Sequence, residues 1–286
     1  MTKHRVPETL TPVRLSRYLS RAWPLTPDWV FRDALRKRDV RVDGVKAAPD
    51  TLVSGGQELT LYVPERHLTG EVNVLFEDGA LLALEKPPGL PVDVDAEGVG
   101  ADTLLARARR AYPTARLVHR LDADTGGVML LALTDDMEAR LTAAFEAHTP
   151  EKIYHALCVG KPNPARGTLT HYLQKDASGA KVRVFDRPVP GALTAVCDYE
   201  TLADWGGGVW LVEVCLRTGR THQIRAQMAR IGCPLAGDDK YGDRAANKAL
   251  GVNAPQLWCQ RTTLHMEGYE GARFESAPAF RLQKGR

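Results

Sequence analysis

The chain has 286 residues, of which 44% are hydrophobic and 26% charged, and its formal net charge at pH 7 is +3. These values are ordinary for a globular protein of one large domain or two unequal ones. No apolar run approaches the roughly 20 residues of a membrane span, and none forms the core of an N-terminal signal peptide. The 5 cysteines and 8 histidines form no common metal-binding spacing, so we expect a cytoplasmic protein without membrane contact and without a metal site.

The first predicted elements form a small basic module. VRLSRYLSRAW and TPDWVFRDALRKR have the apolar spacing of short helices, and VRVDG and ELTLYV alternate as strands do. Between residues 14 and 46 the excess of bases over acids is larger than that of the whole chain. Such a patch is typical of a protein that binds a phosphate backbone, and a solvated helix face is the alternative. The bases predicted to contact nucleic acid are Arg14, Arg17, Arg32, Arg36, Lys37 and Arg38.

A polar stretch with Pro and Gly, residues 64–71, is predicted to link this module to the rest of the chain. We therefore place a basic module at residues 1–66 and a larger domain at 67–286. The larger domain begins with a strand, a turn and a second strand, followed by a Pro/Gly-rich loop and a helix over ADTLLARARRAY. LVHRL is predicted as a strand, and DDMEARLTAAFEAH as a helix.

The second half of the chain continues this mixture of elements. Two strands are predicted, over KIYHALCVG and GVWLVEVCL. A short helix is predicted over THQIRAQMARIG, and Gly232 ends it. Residues 168–187 are expected to be turn-rich, apart from an extended KVRVF. Strands and helices follow one another without a regular βαβ rhythm. The pattern therefore predicts an α+β fold with a mixed, largely antiparallel central sheet and flanking helices and loops.

The stretch HRLDADTGG contains the first candidate site. Asp124 begins an Asp-Thr-Gly triplet like that of aspartic proteases, but that chemistry needs two carboxylates and the chain has one such triplet. Asp122 stands at the end of the predicted strand, where a side chain enters a cleft, and His119 and Arg120, which precede it, are candidate substrate-binding residues. A structural aspartate that pairs with Arg120 is the alternative interpretation.

The stretch RTGRTHQIRAQ is dense in hydrogen-bond donors around a predicted turn into a helix. Arginine forks and helix N-termini both favour phosphate or carboxylate, which makes Arg220, His222 and Gln223 candidate substrate-binding residues. His222 and Arg225 are three residues apart and face the same way on a helix. A surface cluster of ion pairs is the alternative.

Taken together, these strings resemble one protein family, the RluA-type pseudouridine synthases, over Val72 to Met266. The N-terminal module resembles the small S-four-type RNA-binding domain that often precedes this catalytic domain. The strings that carry the resemblance are FEDGALLALEKPPGLPV, HRLDADTGG, EKIYHALCVGKP and RTGRTHQIRAQMARIGCPLAGDDKYG.

The resemblance implies roles for individual residues. Asp122 matches the family's catalytic aspartate, Tyr154 the tyrosine that stacks on the target base, and Arg225 the base that pairs with the catalytic carboxylate. Leu257 falls where the family has an apolar active-site wall, and Asp124 falls at a variable position. The reaction breaks the bond from ribose to the base nitrogen and rejoins the base through carbon 5, so no cofactor is expected. Asp122 is expected to act either as a nucleophile or as a base.

Three departures from the family pattern concern the surroundings of these residues. Thr125-Gly126-Gly127 stands for Thr-Ser-Gly, Trp258-Cys259 for His-Ala, and Pro91-Val92-Asp93 lacks the histidine that often follows the valine.

The expected function is isomerisation of uridines in structured RNA by a monomeric enzyme, with large-subunit (23S) ribosomal RNA preferred as substrate. The alternatives are the same reaction on transfer RNA, a catalytically silent RNA-binding or ribosome-assembly factor, and a nucleoside hydrolase.

Overall fold

The computed structural model describes residues 1–23, 26, 28–64, 68–93, 102–176, 181–280 and 282. The chain divides into two compact units. One comprises Met1–Asn73 and Val94–Ala111, and the other comprises Val74–Asp93 and Tyr112–Arg286. The predicted boundary at residue 66 lies outside the described residues. No helix within the described ranges is long and apolar enough to span a membrane.

The first unit packs short helices on a small sheet. Leu15, Tyr18 and Leu19 form the buried side of α1, and the sheet order is β1-β6-β3-β4. Asp43 and Gly44 both have positive φ, as expected for a tight hairpin turn. The predicted helices and strands of this region are confirmed. The elements are α1 (Leu15–Ala22), α2 (Asp28–Arg36), α3 (Leu104–Ala111), β1 (Thr2–Arg5), β2 (Val13–Arg14), β3 (Val40–Val42), β4 (Val45–Lys46), β5 (Leu52–Val53) and β6 (Glu58–Leu61).

The second unit is built on an 11-stranded sheet with the path β13-β12-β14-β15-β11-β16-β10-β8-β7, to which β17 and β9 add at β16 and β10. The elements are β7 (Asn73–Glu77), β8 (Leu81–Lys86), β9 (Arg116–Leu117), β10 (Gly126–Ala132), α4 (Asp135–Glu146), β11 (Glu151–Val159), β12 (Arg166–Lys175), β13 (Val182–Phe185), β14 (Leu193–Gly206), β15 (Val209–Leu216), α5 (Gln223–Arg230), α6 (Arg244–Leu250), β16 (Leu257–Leu264) and β17 (Ala272–Glu275).

Strand β10 lies inside this sheet between β16 and β8, and every one of its residues is buried. It runs parallel to β16 and antiparallel to β8, whereas β11, β12, β14 and β15 pair antiparallel with their neighbours. The prediction of an α+β fold with a mixed, largely antiparallel sheet is confirmed. A strand buried on both faces needs a continuous apolar run, which VMLLAL supplies.

Two local predictions are wrong. The region expected to be turn-rich contains β12, whose Leu169, His171 and Leu173 are buried and alternate with more exposed residues. The predicted strand LVHRL ends at Leu117, because the backbone N–H of Leu130 in β10 donates to the His119 imidazole instead of to a continuing strand. Asp122 consequently lies in a loop rather than at the end of a strand.

Candidate active site

A cleft of about 780 Å³ opens in the second unit. It is lined by the loop that holds Asp122, by strand β11, by the start of α5 and by the start of β16. The structure therefore brings every predicted catalytic and substrate-binding residue to one place. These are Asp122, Tyr154, Arg225, His119, Arg120, Arg220, His222, Gln223 and Leu257.

The bases predicted to bind nucleic acid lie in the first unit, and all of them are exposed. Arg36 and Lys37 each form an ion pair with Asp33, with nitrogen to oxygen distances of 2.7 Å. Exposed ion pairs of this kind contribute little to stability.

Lys86 fixes the loop that carries Asp122. Its buried ammonium donates to the carbonyl oxygens of Pro87, Leu90 and Ala123, at 2.9, 2.7 and 2.6 Å. The N–H of Gly89 also donates to the oxygen of Ala123. The Pro/Gly-rich loop and the Asp122 loop are thus tied together by one side chain, a role that sequence reasoning did not assign.

Asp122 is half-buried and faces two basic side chains. Its Oδ2 lies 3.7 Å from Nη1 of Arg225 and 3.9 Å from Nε2 of His222. Burial lowers the pKa of His222, and the neighbouring Asp122 offsets this in part. A carboxylate held by charge rather than by short hydrogen bonds keeps its oxygens free to react with a substrate.

Arg225 has a second and closer acidic partner. Its Nε and Nη2 donate to the two carboxylate oxygens of Asp238, at 2.7 and 2.9 Å, and both side chains are buried. Burial by itself lowers the pKa of Arg225 and raises that of Asp238, but the hydrogen-bonded ion pair outweighs burial in both. The predicted pairing with Asp122 is therefore the longer of two contacts, and Nη1 is the atom left to face Asp122.

Tyr241 supports the same arginine from another side. Its hydroxyl accepts from the N–H of Val182 at 2.8 Å and lies 2.9 Å from Nδ1 of His222, and its ring centroid is 5.4 Å from the Arg225 guanidinium carbon. Sequence reasoning singled out neither Asp238 nor Tyr241. Both residues lie in the string GDDKYG, which is part of the family resemblance but to whose residues no role was assigned.

Tyr154 lies in the cleft wall on β11 and is only 6% exposed. Burial raises its pKa well above the usual range, and the hydrogen bond between its hydroxyl and Cys259 raises it further. Tyr154 is therefore a neutral phenol at neutral pH. Leu257, buried at the start of β16, adds an apolar part of the same wall.

Gln223 and Arg220 are partly committed to holding the turn before α5. Gln223 Oε1 accepts from the Thr218 hydroxyl and from the N–H of Arg220, while its Nε2 donates to the oxygen of Val196. Arg220 Nε donates to the oxygen of Thr194. The Gln223 amide is thus engaged within the protein, whereas the Arg220 guanidinium retains donors that line the cleft.

His119 is held as a neutral ring. It stacks on Phe145 with ring centroids 4.2 Å apart, and its Nε2 accepts from the N–H of Leu130 at 3.0 Å. Burial, with a smaller contribution from the charge of Lys152, lowers the pKa of His119 to about 3. An imidazole that accepts at Nε2 carries its proton on Nδ1.

This histidine is expected to make the protein less stable in acid. The unfolded chain binds a proton near the usual pKa of 6.5 but the folded chain binds it near 3, so the unfolded state holds more protons between these values and stability falls as the pH drops below about 6.5. Between about pH 7.5 and about pH 5, wild type should lose about 2 kcal/mol more of its free energy of unfolding than His119→Gln, whose amide oxygen still accepts from Leu130. Urea unfolding at both pH values measures this, and equal losses would contradict it.

Two of the departures from the family pattern touch each other. A Cβ on Gly126 would lie 2.3 Å from the ring of Trp258, and a Cβ on Gly127, whose φ is +110°, would lie 2.1 Å from the oxygen of Cys259. The glycine where the family has serine therefore makes room for the tryptophan where the family has histidine. The glycine pair therefore allows β10 and β16 to pack closely.

A double-mutant cycle tests this compensation. Gly126→Ser alone should lower the free energy of unfolding by about 1–3 kcal/mol, because the side chain overpacks against the Trp258 ring. Adding Trp258→His should recover most of that loss, so the coupling energy is stabilising, opposite in sign to the loss and at least as large. Additive effects of the two substitutions in urea unfolding would show that the departures are independent.

Comparisons with known proteins agree on one family. Residues 80–230 match the family model described as RNA pseudouridylate synthase. The ribosomal large subunit pseudouridine synthase C of Rickettsia felis is 29% identical over 256 residues, 82% of this chain and 84% of that protein. The ribosomal large subunit pseudouridine synthase D of Pseudomonas aeruginosa is 31% identical and covers 84% of this chain and 77% of its own. The solved structure of human RNA pseudouridylate synthase domain containing 4 superimposes with a TM-score of 0.59 at 26% identity, over 72% of this chain and 88% of that one.

Proposed function

This chain belongs to the RNA pseudouridylate synthase family, and we propose that it converts specific uridines of large-subunit ribosomal RNA to pseudouridine. The names of the Rickettsia and Pseudomonas relatives support that choice of RNA. We also propose that the enzyme acts in the cytoplasm as a monomer, and that the first unit is an RNA-binding module which contacts the substrate backbone through its exposed bases.

The observation that carries the proposal is the placement of Asp122. Its carboxylate lies in the same cleft as the Tyr154 ring and faces Nη1 of Arg225 at 3.7 Å. In our proposal Asp122 acts at the ribose of the target uridine, either on the anomeric carbon or on a proton of the neighbouring carbon. Arg225 orients the carboxylate, and Tyr154 stacks on the uracil while it detaches and rejoins through carbon 5.

The charge of the cleft supports an RNA substrate. Its acidic lining residues are Asp122 and Asp124, and its basic ones are more numerous. A target uridine must leave its stack, at a cost of a few kcal/mol, and contacts between these bases and the RNA backbone offset that cost. The basic lining residues are Arg120, Lys152, Lys175, Arg220, Arg225 and Lys240.

A pseudouridine map of total cellular RNA tests the proposal. Strains would carry the wild-type gene, a deletion, or the deletion complemented with either wild type or Asp122→Asn. We expect one or a few sites in large-subunit ribosomal RNA to disappear on deletion and to return with wild type but not with Asn. Loss of sites in transfer RNA would overturn the substrate assignment, and restoration by Asn would overturn the assignment of Asp122.

A further inference from the structure

Lys152 is a basic residue of the cleft that the proposed chemistry does not use. It lies on β11 two residues before Tyr154, and both side chains line the cleft. The residue is 9% exposed, its Nζ lies 5.7 Å from the Phe145 ring centroid, and a methyl group on Gly219 would lie 3.5 Å from Nζ. The ammonium therefore sits at a confined position in the cleft wall rather than on the surface.

The groups around this ammonium supply no counter-charge. The electrostatic neighbours of Lys152 in the described part of the chain are the thiols of Cys259 and Cys215, and burial raises the pKa of both, so both are neutral near pH 7. His119 beside it is neutral as well, with its Nε2 occupied by Leu130. Burial accordingly lowers the pKa of Lys152 itself.

A desolvated ammonium without an anionic partner is unfavourable in the free protein, and an anion in the cleft removes that penalty. RNA offers two kinds of partner, the phosphodiester and the carbonyl oxygens of the base. A compact ammonium binds a phosphate oxygen well as a point charge. Tyr154, the proposed partner of the base, lies about 7 Å further along the same strand, so Lys152 is within reach of the backbone of a nucleotide stacked there.

We propose that Lys152 forms a phosphate-binding subsite of the cleft and pairs with a backbone phosphodiester at or next to the target uridine. This inference rests on the proposed RNA substrate. A contact of this kind is made equally in the bound substrate and in the transition state, so it lowers KM without changing kcat.

The test compares the initial rates of wild type, Lys152→Met and Lys152→Gln at several salt concentrations. The substrate is tritium-labelled large-subunit ribosomal RNA from the deletion strain, and tritium release from carbon 5 of uracil is the readout. We expect both variants to raise KM about tenfold, to leave kcat within about twofold, and to reduce the slope of log kcat/KM against log salt by about one, the share of one phosphate contact. Their Tm should equal or exceed that of wild type, because a buried charge is removed.

Lys161→Met is the matched control. Lys161 also lies over an aromatic ring, with Nζ 4.6 Å from the Trp210 centroid, but it does not line the cleft. It should keep the KM and the salt slope of wild type. The inference would be overturned if both Lys152 variants kept the wild-type salt slope, whether or not their kcat fell. It would also be overturned if a lowered Tm accounted for their lost activity. Failure of the wild-type enzyme to release tritium would instead overturn the proposed function.

Discussion

Asp122→Asn is expected to lower kcat for pseudouridine formation by at least about 10³-fold, because an amide replaces the one group proposed to attack the sugar or to remove its proton. The substitution keeps the size and shape of the side chain. The carboxylate makes its contacts to Arg225 and His222 at 3.7 and 3.9 Å, beyond hydrogen-bond range. We therefore expect the free energy of unfolding and the Kd for RNA to stay close to wild type, as single-turnover rates, urea unfolding and filter binding would measure.

Asp124→Asn provides the matched control for that experiment. Asp124 is half-buried and lines the same cleft two residues further on, so the substitution removes an equal charge from the same loop. Its kcat should stay within a few-fold of wild type. Equal losses in the two variants would mean that the charge of the loop matters and that Asp122 has no special role, and a larger loss in Asp124→Asn would transfer the assignment to Asp124.

Much of this site was predictable because its residues are adjacent in sequence. Asp122 with Arg120, and Arg225 with His222, fall in two short strings, and the family resemblance carried by those strings was confirmed. His222 and Arg225 do reach the same carboxylate oxygen, as their three-residue spacing predicted. Local patterns succeed here because one loop and one helix start supply most of the charged groups.

What the sequence did not show are the contacts between distant segments. Lys86 lies 37 residues before Ala123, and the pairing of β8 with β10 brings its ammonium to that loop. Strand β12 was missed because its inward side includes His171, a polar residue that weakens the alternation of apolar side chains. The fit of Gly126 to Trp258 likewise depends on the parallel pairing of β10 with β16, which no local pattern predicts.

Asp238→Ala is expected to reduce the free energy of unfolding by about 3–5 kcal/mol, since it leaves the buried Arg225 guanidinium without its bidentate partner. The backbone N–H groups of Lys240 and Tyr241 lose their acceptor at the same time. Activity should fall as well. Without Asp238, Nε and Nη2 of Arg225 are free to turn towards Asp122 and to cover the oxygens that must reach the ribose.

Asp238→Asn separates the two effects. The amide oxygen still accepts from the N–H groups of Lys240 and Tyr241, so part of the stability should return, but the charge that holds Arg225 is gone. We expect kcat to stay low in this variant although it is more stable than Asp238→Ala. Asp239→Asn, an exposed neighbour, is the control and should resemble wild type in urea unfolding and in kcat. If Asp238→Asn instead kept the wild-type kcat, Asp238 would stabilise the fold without positioning Arg225, and the distance of Nη1 from Asp122 would have to be set by Tyr241 alone.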